Sequence, residues 1–125
     1  MATHRGKQNV LWNRKIAERF DPTSEVVLLC GVSEETLAGI PNGSAKLIIT
    51  SPPYNLGKVY EKATDLDKYL DALQPILDQL IRVLAPDGSL CWQVGNYVEK
   101  GEIFPLDIYY YPVFKSLGLK LRNRI

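Results

Sequence analysis

From Glu25 onward, short continuous apolar runs alternate with longer stretches whose apolar residues fall three and four apart. Residues 26–30 (Val, Val, Leu, Leu, Cys) predict a strand covered on both faces and ended by Gly31. Ser33 has the chemistry to cap a short helix reaching about Ala38, with Glu34 and Glu35 in the first turn, where the helix dipole favours acids. Pro41-Asn42-Gly43 predicts a turn, and residues 46–50 (Lys, Leu, Ile, Ile, Thr) a second buried strand. That strand must stop at Ser51-Pro52-Pro53-Tyr54, because proline lacks the N–H that a sheet interior needs. After a loop over 55–63, Leu66, Tyr69, Leu70, Leu73, Ile76, Leu77, Leu80, Ile81 and Leu84 mark a core-facing helix, capped by Thr64 or Asp65 and kinked at Pro75. Pro86-Asp87-Gly88 predicts a turn and residues 89–94 a third strand, ended by Gly95-Asn96. A further helix runs from Pro105 to Leu117, disturbed at Pro112, with Leu106, Tyr109, Tyr110, Val113, Phe114 and Leu117 inward and Gly118 as its left-handed stop. Residues 119–125 alternate and predict the opening of a fourth strand. Near the start, Trp12, Ile16 and Phe20 stand at helical spacing, either a docking helix or an accident of the pattern.

This alternation predicts the α/β class, with strands joined by crossover helices in a largely parallel sheet. Composition narrows the picture: 125 residues, 46% hydrophobic and 23% charged, with a net charge of +1, suit one globular domain and leave too little chain for two cores. No apolar run approaches the ~20 residues of a membrane span, and the polar, basic start lacks a secretion signal, so the expected location is the cytoplasm, with no membrane partner. Cys30 and Cys91 cannot make a disulfide framework and read as strand packing; with His4 the only histidine, no metal site is expected. Charge is uneven. His4, Arg5, Lys7, Arg14, Lys15 and Arg19 make the first residues basic, as Lys115, Lys120, Arg122 and Arg124 do the last, which describes either a phosphate-facing surface or two solvated tails.

Candidate chemistry concentrates in Ser51-Pro52-Pro53-Tyr54. In open α/β sheets ligands bind beyond the carboxyl ends of strands, which is where this tetrapeptide falls. Two prolines make a stiff loop that presents carbonyls and cannot donate, while the Ser51 hydroxyl adds an acceptor and Tyr54 an aromatic face. That set suits a planar ligand bearing an amino group, a nucleobase above all, with stacking worth ~1–3 kcal/mol. The plain alternative is a strand terminator with Tyr54 packed on the surface.

Residues 47–57, the apolar strand with Ser-Pro-Pro-Tyr and Asn55-Leu56-Gly57, closely resemble the catalytic motif of the DNA amino-methyltransferases, which methylate N4 of cytosine or N6 of adenine with S-adenosylmethionine. Residues 26–31 with Leu37, Ile40 and Pro41 are similar to the strand and short helix before that motif. Arg82-Val83-Leu84-Ala85-Pro86-Asp87-Gly88-Ser89-Leu90 resembles the family's helix-turn-strand, and residues 117–123 the approach to its next strand. The resemblance covers about 25–125 and implies a Rossmann-like methyltransferase fold acting on double-stranded DNA. It assigns Ser51 and the Pro52 carbonyl to accept the amino hydrogens and Tyr54 to stack the base once it is flipped from the duplex, with Pro53 counted in the same catalytic motif. It places Gly31 and Ser51 near the cofactor and leaves Asn55, Lys58, Tyr60 and Lys62, in the loop that follows, to touch the DNA backbone or close over the base, solvated loop side chains being the alternative. Serine at the first position leans toward N4-cytosine over N6-adenine. Neither cysteine follows a proline, so the covalent route of cytosine-C5 enzymes is not indicated, and RNA- or protein-amide methyltransferases usually carry Asn where Ser51 stands.

Two departures shape the expectation. Where the family has an acid after the glycine, this chain has Val32, and a Phe-x-Gly-x-Gly cofactor loop is nowhere in the sequence. The chain therefore reads as a basic segment over 1–24 and, over 25–125, the catalytic portion of a methyltransferase, truncated before the target-recognition and cofactor-loop segments, with an incomplete sheet whose strand at 26–30 is separated from the Ser51 strand. A complementing polypeptide or self-association would complete it, in a restriction-modification or orphan modification system. A non-catalytic remnant or DNA-binding accessory is the reading from another class.

Overall fold

The computed structural model describes residues 16–54 and 65–125. In chain order its elements are β1 (Ile16–Ala17), β2 (Val26–Val27), α1 (Ser33–Ala38), β3 (Ala45–Thr50), α2 (Leu66–Val83), β4 (Leu84–Trp92), β5 (Asn96–Glu99), β6 (Glu102–Pro105) and α3 (Leu106–Ser116). The strands pair two by two, β1 with β2 and β3 with β4 in parallel and β5 with β6 antiparallel. The centre is the β3–α2–β4 crossover unit expected of the α/β class. Strands β2 and β3 lie in different two-stranded sheets, and no single largely parallel sheet forms among the described residues.

Asp65 starts α2 by accepting the Lys68 N–H at 3.0 Å, and the helix runs through Pro75 without a break. Its inward stripe, Tyr69, Leu73, Leu77, Leu80 and Val83, is buried. Tyr69, Leu73 and Leu77 form the core with Tyr97, Leu106 and Tyr110. Helix α3 runs through Pro112 and ends in a Schellman motif: the Gly118 N–H donates to Lys115 and the Leu119 N–H to Phe114, with Gly118 at φ +85°.

Several expectations need correction. Ser33 does not cap α1; Val32 holds the cap position without a side-chain bond, and Ser33 is the first helical residue. Strand β2 covers only part of 26–30, and Cys30 is exposed. Ile16 belongs to a strand, so the helical spacing with Phe20 was accidental, while Trp12 lies outside the described residues. Pro86-Asp87-Gly88 does not precede β4 but lies inside it. The register passes from Ala45↔Leu84 to Leu47↔Ser89, so the turn is extruded as a bulge within the ladder, where Lys46 pairs with Asp87. Strand β4 ends at Trp92 rather than residue 94, and a hairpin follows that the alternation did not reveal. Its turn, Lys100 at φ 49° and Gly101 at φ 84°, has the two positive φ values of a type I′ connection. Residues 119–125 form no strand and Leu121 is exposed, for a strand needs a neighbouring ladder and none of the described residues supplies one.

The same reason governs β3. Ile48 and Thr50 face inward with Leu90 and Trp92, but Leu47 (56% exposed), Ile49 (72%) and Cys91 on the opposite face are uncovered by described residues. The expectation of two buried faces, and of both cysteines as packing residues, fails among the described residues.

Arg82 ties the layers together. Its guanidinium donates to the carbonyls of Leu37 (2.6 Å) and Ile40 (2.8 Å), to Asn42 Oδ1 (2.6 Å) and to Gln79 Oε1 (2.9 Å), and its own carbonyl accepts the Gly43 N–H (2.9 Å). Arg82→Ala should cost about 2–3 kcal/mol, the range for hydrogen bonds to a charged group whose partners are left unpaired. Arg82→Lys should recover only part of it, because an ammonium cannot reproduce the planar fork. Urea unfolding midpoints check both; an unchanged midpoint for Arg82→Ala would refute the tie.

Candidate active site

Strand β3 delivers its carboxyl end to Ser51 because the Thr50 carbonyl accepts the last rung of the ladder, from the Gln93 N–H at 3.0 Å. Beyond it the two prolines break the pairing. Ser51 is exposed, Pro52 buried, Pro53 exposed and Tyr54 half-buried against the core. The hydroxyl and the aromatic ring expected to meet a ligand therefore sit on either side of a buried proline that anchors them.

Two tyrosines hold this loop from below. Tyr69 of α2 donates its phenolic O–H to the Pro53 carbonyl at 2.5 Å, and Tyr110 of α3 donates to the Tyr69 hydroxyl at 2.8 Å. The direction is forced, since a prolyl carbonyl can only accept. Both tyrosines are buried, with ring centroids 6.3 Å apart and edge to face; Tyr110 also meets Trp92 at 5.2 Å and stacks on Phe114 at 5.7 Å. Burial first, and then the bond to Tyr69, pushes the Tyr110 phenol above its ordinary pKa. Gly95 makes room for Tyr54: a Cβ there would stand 3.3 Å and 3.4 Å from two ring carbons of Tyr54.

Tyr69, Tyr110 and Gly95 went unassigned to the site because helical spacing marked the tyrosines as core and Gly95 as a strand end. Their hydroxyls were the overlooked signal, for a buried tyrosine O–H needs a partner. Other expected site residues are less gathered. Gly31 follows β2 and Ser51 follows β3, strands of two different sheets. A cleft of about 360 Å³ lies near Gly31, lined by Glu18, Arg19, Phe20, Leu29, Cys30, Thr36 and Gly39, and includes none of residues 51–54. Asn55, Lys58, Tyr60 and Lys62 lie outside the described residues. Among the described residues no cluster of metal-binding side chains occurs, and no helix is long and apolar enough to cross a membrane.

Residues 45–125 match the N6/N4 DNA methylase family. The chain belongs to that family. It is 46% identical over 96 residues to the type II methyltransferase M.BglII from Bacillus subtilis, covering 76% of this chain and 27% of that protein. Among solved structures it is similar to TTHA0409 of Thermus thermophilus, described as a DNA modification methylase and complexed with S-adenosyl-L-methionine (TM-score 0.62, 32% identity, 74% of this chain and 41% of that one). It is also similar to the cytosine-N4-specific PvuII DNA methyltransferase (TM-score 0.55, 29% identity, 71% and 32%). The chain thus spans less than half the length of these relatives. The likeness agrees with the α/β methyltransferase class, of which the short sheets here form part.

The shifted phenol yields a stability prediction. Folding disfavours the Tyr110 phenolate, so the stability tied to this group is fully present below the ordinary tyrosine pKa of about 10 and is lost as pH rises beyond it toward the folded value. Between pH 9 and pH 11 the urea midpoint should fall, and fall less in Tyr110→Phe; equal declines would contradict a protonated, buried Tyr110.

Proposed function

We propose that the chain is the catalytic portion of an S-adenosylmethionine-dependent DNA methyltransferase that methylates the exocyclic amino group of a flipped base, N4 of cytosine by preference. The observation that carries this reading is the Ser51-Pro52-Pro53-Tyr54 loop held rigidly at the carboxyl end of a parallel strand, with Ser51 exposed, in a member of the N6/N4 family. An aromatic amine is a poor nucleophile because its lone pair is delocalised into the ring. Acceptors at Ser51 Oγ and the Pro52 carbonyl, holding the two amino hydrogens, turn that pair out of conjugation. Most of the rate gain comes from this fixed placement, together with Tyr54 stacking on the base. S-adenosylmethionine supplies the methyl group as an electrophilic sulfonium when bound. The preference for cytosine rests on the neutral Ser51 and on the likeness to the cytosine-N4-specific PvuII enzyme.

The cofactor fits these residues only in part. Gly31 offers backbone alone, and the neighbouring Val32 is exposed and apolar, with no side-chain acceptor for a nucleoside hydroxyl or amine. The larger share of the cofactor site therefore comes from additional polypeptide, consistent with a chain that spans 27% of M.BglII, and the uncovered Leu47, Ile49 and Cys91 are where such polypeptide would pack.

In the full-length protein, Ser51→Ala and Tyr54→Ala should each lower methyl transfer to unmethylated bacterial genomic DNA by about 100-fold or more, in the range seen when a preorganised polar partner is removed. Circular dichroism should remain unchanged. Tritium from labelled S-adenosylmethionine gives the rate, and mass spectrometry of digested DNA should show N4-methylcytosine. N6-methyladenine would overturn the base preference. A fully active Ser51→Ala would overturn the catalytic assignment, and an inert wild-type protein that binds DNA would favour the accessory reading.

A further inference from the structure

We infer that Tyr69 and Tyr110 are positioning residues that set the orientation of Tyr54 and the Pro52–Pro53 backbone through a two-hydroxyl relay ending on the Pro53 carbonyl. This rests on the function proposed above only for its catalytic consequence; the geometric part stands on its own.

The loop has few soft torsions. Proline rings fix φ at residues 52 and 53, so the course of the backbone into Tyr54 is decided by the two ψ angles. Burial of Pro52 restrains the first. The second swings the Pro53–Tyr54 peptide plane, and its carbonyl is the atom that Tyr69 grips at 2.5 Å. Rotating that plane would carry the carbonyl off the phenol and swing the Tyr54 side chain, whose ring already abuts Gly95. Tyr54 is thus clamped between a hydrogen bond on its amino-terminal side and a glycine against its ring.

Tyr110 acts through Tyr69. Once Tyr69 has given its proton to the carbonyl, its oxygen is left to accept, and Tyr110 fills that role from a site 1% exposed. Hydrogen bonds in such a chain polarise one another, and an unpartnered hydroxyl in this core would be costly, so the second phenol holds the first to one rotamer. The two hydroxyls come from different helices, which makes the loop geometry a readout of how α2 and α3 pack. Residues that reach the site only through the loop act by small displacements, and a misplacement of about 1 Å can cost as much as ~100-fold in rate.

Phenylalanine variants remove the hydroxyls while keeping the rings. In the full-length protein, Tyr69→Phe should lower kcat for methylation of unmethylated genomic DNA by about tenfold with KM for DNA little changed, and Tyr110→Phe should lower it less. Because Tyr110 works only through Tyr69, the double variant should be no slower than Tyr69→Phe alone. Tyr111→Phe, an exposed neighbour outside the relay, should match wild type. In selectively 13C-tyrosine-labelled protein, the Tyr54 ring resonances, assigned by their loss in Tyr54→Phe, should shift or broaden in Tyr69→Phe and Tyr110→Phe but not in Tyr111→Phe. Unmoved Tyr54 resonances in both relay variants would overturn the inference, as would multiplicative rate losses in the double variant. Should the wild-type protein transfer no methyl group, the proposed function fails, and the Tyr54 spectrum alone decides the relay.

Discussion

The guanidinium of Arg82 is the constraint on which the rest of this structure depends. It sits in the last turn of α2 and reaches back across the chain to close the open carbonyl end of α1, at Leu37 and Ile40, and to hold Asn42 in the turn that follows. The Arg82 carbonyl takes the Gly43 N–H in return. Residue 43 lies just before β3, and residue 82 just before β4, so this two-way link brings the starts of the two parallel strands together. A parallel pair joined by a helix has no hairpin to set its register, and here an arginine supplies that function. All the acceptors of the guanidinium are neutral oxygens, so the tie depends on fork geometry rather than on an opposing charge that salt would screen.

Register at one end of the strands fixes where the chain emerges at the other. With Ala45 beside Leu84 and the Pro-Asp-Gly segment extruded, Thr50 falls opposite Trp92, the ladder closes on Gln93, and Ser51 emerges where β4 turns away through Gly95. Helices α2 and α3 then rise beneath the loop, each contributing one phenol. The framework that buries Leu73, Leu77 and Leu106 therefore also aims the serine and the aromatic ring. Packing and site are one construction, and the tyrosines belong to both.

Which features were legible follows from whether they are encoded locally. Helix α2, its Asp65 cap, the Gly118 stop and the end of β3 at Ser51 all depend on nearest-neighbour chemistry, and each stands where spacing and side-chain type put it. The bulge was not legible, because whether Pro86-Asp87-Gly88 precedes a strand or lies within one depends on Ala45, some forty residues away, pairing with Leu84. The hairpin at Lys100-Gly101 was hidden by a type I′ turn that uses lysine at the first positive-φ position, where Asn or Asp is the usual signal. The Ser51-Pro52-Pro53-Tyr54 segment stood out because its residue types are unusual together. Its supports did not, since a tyrosine facing a core looks the same in sequence whether its hydroxyl holds a loop or merely finds a partner.

The expectations that failed on burial share one cause. Residues 46–50 have the composition of a strand covered on both faces, yet Ile49 is 72% exposed on the side of the sheet opposite α2, and Cys91 beside it is exposed as well. A β-branched side chain left bare on a short sheet gains none of the ~1.5–3 kcal/mol that its burial would contribute, and the open edges of β3 and β4 are hazards that folded proteins normally cover. The strand at 26–30 shows the same signature, with Leu28 exposed and pairing that ends where the Leu28 N–H meets the Ala17 carbonyl. Neither strand finds its cover among the described residues, in a chain whose match spans 27% of one relative and 41% of another. On the face turned the other way, toward α2 and α3, the hydrogen bonds from Arg82 and from the two phenols are already complete. The loop at 51–54 is thus held by this chain's own contacts, while Leu28, Leu47, Ile49 and Cys91 are left uncovered by the described residues.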